Sequence, residues 1–152
     1  SFGAETIPAR CDLNHLFPTD ALANTKRGSH PFGEVSGGVD WSSGGSTLGD
    51  NADGVTVFEP RDIHKGNVAR AMLYFEIRYG GNLSEEEHSG MMGDERRAMF
   101  LGWHQGDLPT DVDVARTEVI SAYMGAGNPL VACDGLTELL VAEQLGETGS
   151  AE

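Results

Sequence analysis

The spacing of apolar positions changes character near residue 62. Beyond it, "KGNVARAMLYFEIRYGG" carries apolar residues around most of its circumference and ends at Gly80-Gly81, which predicts a central buried helix. Three further helices are predicted downstream: one from about Asp94 to Trp103, one starting at Thr110 with acidic residues in its first turn, and one over "DGLTELLVAEQLG". Before residue 62 the pattern is shorter and more broken. Residues 1–10 predict a loop, "DLNHLFP" a short strand closed by Pro18, and "DALANTKRG" a short helix capped by Thr19 or Asp20 and stopped at Gly28. From Pro31 to Pro60 a Gly- and Ser-rich sequence with brief alternating pieces such as "GVTVFEP" predicts a hairpin or irregular arm on the surface. No internal repeat or interdomain linker interrupts the chain. The expectation is a single, mostly helical α+β domain over residues 1–146, followed by a disordered tail over 147–152.

Composition narrows the function classes. Ten Lys and Arg stand against 24 Asp and Glu, a formal charge of −14, so the chain as a whole has no electrostatic footprint for nucleic acid. An anionic substrate must therefore meet a local basic patch or bound cations. Only Lys26 and Lys65 are lysines, and the other basic residues are arginines, whose planar fork suits phosphate. An acid-rich, lysine-poor surface also fits a protein from a salty habitat. No run approaches the roughly 20 apolar residues of a membrane helix, which predicts a soluble protein with no membrane partner. Cys11 and Cys133 are compatible both with a disulfide closing a long loop and with two separate thiols. Ser1 opens the chain without Met, which predicts removal of an N-terminal portion.

Candidate chemistry concentrates in "CDLNHLFPTDALANTKRGSHPFGEV". Asp12, Asn14 and His15 precede the short helix that carries Asn24, Lys26 and Arg27, so groups from both segments can face one small volume. An asparagine oxygen can ligate Mg²⁺, which uses few protein oxygens and keeps several waters. A histidine can act as general base near neutral pH, and an arginine can hold a phosphate. Each residue also has a plainer role open to it. His15, close to Leu13 and Leu16, fits a hydrogen-bonded core histidine; Asn24 fits a surface residue; Lys26 and Arg27 fit cations that complement a helix C-terminus. Elsewhere "GDNADG" has calcium-loop composition but lacks the spacing and distal Glu of an EF-hand, and reads as a turn. "WHQGD" reads as helix-end packing around His104, and "SEEEH" as a solvated helix start.

Four blocks in order, "DLNHLFPTDALANTKRGSHPFGEV", "VFEPRDIHKGNVARAMLYFEIRY", "WHQGDLPTDVDVARTEVI" and "GNPLVACDGLTELL", resemble the bacterial endonuclease I family. The resemblance implies a secreted or periplasmic nuclease of the His-Me finger (ββα-metal) class, cutting DNA and often RNA with little sequence preference. It implies that Asn24 ligates a divalent metal, Mg²⁺ or else Mn²⁺ or Ca²⁺. Arg27, Lys65 and Arg70 are the implied phosphate or nucleic-acid contacts. Asp12 to Leu16 matches the finger's second strand, "DLHHL" in relatives, with Asn14 in place of the first histidine and His15 in place of the second. "GAGNP" matches a "GNRNP"-like segment without its arginine.

The family's "E-H-x-x-P" motif, which supplies the general base and an acidic metal ligand, does not occur in residues 1–152. The resemblance then implies a chain that starts just after the catalytic strand, with an open edge on the second strand. It would lack the finger's first strand, bind metal weakly and cleave slowly or not at all by itself, and either pair with its own N-terminal segment as a separate chain or be an inactive fragment. His15 is the fallback base. The rival expectation is a secreted acidic binding or structural module that keeps a nuclease scaffold without catalysis.

Overall fold

The computed structural model describes residues 7–82, 84, 91–133, 135–137 and 139. Helical turn α1 (Ile7–Arg10) and helix α2 (Ala21–Arg27) come first, then strands β1 (Gly37–Ser43), β2 (Ser46–Asp50) and β3 (Thr56–Glu59). Helices α3 (Asp62–Tyr79), α4 (Asp94–Gly106), α5 (Asp111–Met124) and α6 (Pro129–Ala132) follow. The fold is α+β and mostly helical, as the apolar pattern predicts.

Helix α3 is the spine because it offers apolar atoms on nearly every side. Ala69 to Phe75 are all buried, and Met72, Leu73 and Tyr74 pack with Met92, Phe100, Trp103 and Leu130 into the core. Burying each large side chain contributes on the order of 2 kcal/mol. Helix α5 begins at a capping box: the Thr110 hydroxyl accepts from Asp113 N–H (3.4 Å), and the Asp113 carboxylate accepts from Thr110 N–H (2.8 Å). It ends at Gly125, whose φ of 82° is the left-handed conformation of a helix C-terminus.

The predicted hairpin is an antiparallel sheet in the order β1-β2-β3. Gly44 and Gly45 form its two-residue turn, with φ of 58° and 87°, a backbone that side-chain-bearing residues rarely adopt. "GDNADG" joins β2 to β3 as a turn. The Asn51 Oδ1 accepts from the N–H groups of Asp53 (3.1 Å) and Val55 (2.8 Å), and these local bonds close the loop.

Two N-terminal expectations need correction. Ile7 to Arg10 are helical rather than loop, and "DLNHLFP" is not a strand. Leu13 to His15 form a single 3-10 turn, because Asp12 caps it by accepting from Asn14 N–H (2.9 Å). Arg116 of α5 then donates to the carbonyl oxygens of Leu13 (2.6 Å) and Leu16 (2.7 Å). Groups that a sheet ladder would need are spent, and no open strand edge forms there. Cys11 and Cys133 are exposed and unjoined, so no disulfide staples this turn to the C-terminal region. Most of the predicted fourth helix, the 147–152 tail and most of "SEEEH" lie outside the described residues. No helix among the described residues is long and apolar enough to cross a membrane.

Asp12 ties this turn to the spine, since its Oδ2 accepts from the hydroxyls of Tyr74 (2.7 Å) and Tyr79 (2.8 Å). Burial pushes the carboxyl's pKa up, but bonds from Asn14 and the two tyrosines outweigh it and hold the pKa below the ordinary value. The same carboxylate and burial push the Tyr74 hydroxyl up to about 12. A depressed native pKa stabilises the fold above the unfolded-state value of about 4, and that contribution disappears as pH falls through the native value. Asp12→Asn is therefore expected to destabilise the protein at pH 7 and to flatten the acid end of its stability curve. Denaturant melts at pH 7 and pH 3 check this; equal losses at both pH values would contradict it.

Candidate active site

Helix α2 buries no residue and depends on its ends. Asp20 caps it by accepting from the N–H groups of Leu22 and Ala23 (2.9 Å each), and Gly28, at φ 51°, stops it. Asn24 and Arg27 are three residues apart and therefore share a face. That face forms one wall of a groove of about 600 Å³. A second wall comes from the sheet, through Trp41 and Phe58, and a third from the start of α3, through Arg61, His64 and Asn67.

Arg27 is half-buried, with its guanidinium 4.7 Å from the centre of the Phe32 ring. Burial lowers its pKa, yet a guanidinium stays charged at any physiological pH. Arg61 is exposed, and among the described residues it makes no ion pair. It donates from Nη2 to Nε2 of His64 at 2.6 Å. Because a guanidinium only donates, His64 Nε2 must accept, which leaves the ring proton on Nδ1. Burial, and then the Arg61 charge, lower the His64 pKa against the pull of Asp107 and Asp113, so the imidazole is neutral at pH 7. The local basic patch that the acidic composition requires is thus a pair of arginines, one from α2 and one immediately before α3.

Of the residues singled out from sequence, Asn24, Arg27 and His15 line this groove, whereas Lys65 and Arg70 do not. His15 is only 6% exposed; its Nε2 lies 2.8 Å from the Ala9 carbonyl and therefore carries a proton. Its ring sits edge-on to Phe75, which is the setting of a structural histidine. Lys65 is held by Glu59 (2.7 Å) and Asp62 (2.8 Å), whose carboxylates raise its pKa against a burial effect that lowers it. Arg70 is 1% exposed and donates to the Asp107 carbonyl (2.7 Å) and Asn67 Oδ1 (2.8 Å), so no phosphate reaches it. Asn14 is also structural, donating to Tyr74 Oη and the Ala126 carbonyl (3.3 Å each).

Arg61 and His64 were not among the sequence candidates, although a signal for them exists. In "EPRDIHKGN" they are three residues apart at a helix start, hence neighbours on one face, while Lys65 is one step further round.

The family described as Endonuclease I matches residues 1–134, most of the chain. The chain belongs to the endonuclease I family. It is 30% identical over 139 residues to an extracellular ribonuclease of Bacillus subtilis (strain 168), a match that covers 86% of this chain and 46% of that protein. An extracellular ribonuclease of Bacillus amyloliquefaciens is 30% identical over 146 residues, again covering 86% and 46%. This endonuclease I family member thus spans about half the length of the curated relatives it matches. No solved structure gives a significant match.

The implied metal can be weighed against the donors present. Among the described residues no group of three or more His, Cys, Asp or Glu could hold a metal ion. Asn24 is exposed and lines the groove, and Asp20, one turn earlier, also lines it, with Oδ1 committed to the helix cap. One or two hard oxygens completed by water and substrate phosphate suit Mg²⁺, so this donor set fits a weakly held divalent ion.

Proposed function

We propose that this chain carries the substrate-binding and metal-assisting part of a metal-dependent endonuclease that hydrolyses phosphodiester bonds in DNA or RNA with little sequence preference. The observation that carries the reading is the meeting of Arg27, Arg61 and Asn24 on one groove in a chain of net charge −14. Family membership and the names of the two extracellular ribonucleases support a nuclease that acts outside the cytoplasm, secreted or periplasmic.

In this reading α2 takes the place of the helix of a His-Me finger, preceded here by a 3-10 turn instead of a strand, and Asn24, assisted by Asp20, would hold the ion. When bound, the ion neutralises phosphate charge and stabilises the leaving oxygen. Arg27 and Arg61 bind the phosphate through their forks and orient it along the groove. Contacts to phosphate carry no base information, which accounts for low sequence preference. The reaction also needs a general base and an acidic ligand, which the family's "E-H-x-x-P" motif would supply and which residues 1–152 do not carry in that motif.

A positioned general base contributes roughly 10² to 10⁴ in rate. The polypeptide encoded by the whole reading frame is therefore expected to cleave labelled oligonucleotides at least about a hundredfold faster than residues 1–152, and to stop in EDTA. Equal rates, or cleavage indifferent to EDTA, would contradict the proposal.

A further inference from the structure

Phosphate binding uses the arginines of two walls; the rest of the groove's lining is mostly apolar. Trp41 lies nearly parallel to Phe58, with ring centres 6.2 Å apart and planes at 20°. Phe32 meets Phe58 edge-on at 6.3 Å; Phe58 is buried behind the other two rings, so half-buried Trp41 and Phe32 carry the aromatic surface the groove presents. Val68 and Met72 of α3 extend the apolar surface. Trp41 is half-buried rather than sealed in the core.

We infer that the groove takes an unpaired nucleotide, its base against the aromatic wall and its phosphate at Arg27 and Arg61. The inference rests on the phosphodiester-binding reading of the same groove and adds the substrate's strand state. A duplex presents sugars and phosphates to a protein surface and keeps both faces of each base stacked on neighbouring bases. Against such a ligand the apolar wall would lose water and gain little. An unpaired base offers a free π-face, and stacking on an aromatic side chain is worth about five- to hundredfold in affinity per base. The charges agree with this placement, since the arginine pair offers an anion attraction in a chain otherwise rich in carboxylates. A volume of about 600 Å³ lies within the range of small-ligand sites.

Fluorescence anisotropy in EDTA, where metal-dependent cleavage is silent, tests the inference with a labelled eight-nucleotide single strand and the corresponding duplex. The single strand is expected to bind roughly ten times more tightly. Trp41→Leu is expected to weaken single-strand binding roughly tenfold while leaving duplex binding unchanged. Equal or tighter duplex binding overturns the inference, as does a folded Trp41→Leu variant that binds the single strand normally. The wild-type comparison decides even if that variant fails to fold. Absence of binding to either ligand would instead overturn the underlying phosphate-binding reading.

Discussion

Arg70→Ala is expected to cost about 3 kcal/mol of stability and to lower Tm by roughly 10 °C. Arg70 lies inside the protein at 1% exposure, between α3 and the C-terminus of α4. Its guanidinium donates to the Asp107 carbonyl, to Asn67 and to Nδ1 of His104 (3.2 Å). Burial lowers its pKa, while the nearby carboxylates of Asp113 and Asp107 oppose that shift. Removal would open a cavity, take donors from groups turned inward to meet it, and deprive Asp113 of one of its nearby cations. The helices cannot close over the gap by sliding, because Gly66 of α3 already lies so near the Asp107 carbonyl that a Cβ would collide with it. Lysine at position 70 keeps the charge but not the fork, so Arg70→Lys should fall between wild type and alanine. A thermal melt within 2 °C of wild type for Arg70→Ala would return this residue to the list of phosphate contacts.

The second large effect concerns binding. Replacing Arg27 and Arg61 together by alanine is expected to weaken oligonucleotide binding about a hundredfold, since each charge-assisted contact contributes on the order of 1.5 kcal/mol. The salt dependence should shrink as well. Each lost phosphate contact lowers the slope of log K against log[salt] by about 0.7 for a single strand, or about 1.4 for the pair. The exposed Arg61 should contribute little to stability, so Arg61→Ala alone is expected to melt close to wild type.

How much of this was legible in the sequence depended on what holds each element. Helix α3 was legible because its apolar positions wrap nearly the whole circumference, and α5 because Thr110 and Asp113 form a local cap. The segment from Pro31 to Pro60 was legible only as a hairpin or irregular surface arm, whereas it folds as a three-stranded sheet turned at Gly44-Gly45 that buries Leu48, Val57 and Phe58. The turn at Leu13 to His15 was not legible, because its geometry is set from a distance: Arg116 lies about a hundred residues away along the chain, and Tyr74 and Tyr79 over sixty from the aspartate they bind. The same distinction divides the candidate site. Asn24 and Arg27 share a helix face, so their joint placement followed from spacing. Arg70 and Lys65 were plausible cations by sequence, yet only the packing of α4 on α3 and the carboxylates of Glu59 and Asp62 decide that neither lines the groove. The pairing of α2 with the start of α3 across the groove is likewise a tertiary fact.

The most direct test of the central claim, that this groove binds a phosphodiester chain through Arg27 and Arg61, is a titration of a labelled single-stranded oligonucleotide into wild-type protein and the Arg27→Ala, Arg61→Ala double variant. It is run at two salt concentrations, with melting curves taken on the same samples. The account predicts salt-sensitive binding by wild type, about a hundredfold weaker binding by a variant that the melting curves show to be folded, and a reduced salt slope. Undiminished binding by the folded double variant, with the same salt dependence as wild type, would contradict it.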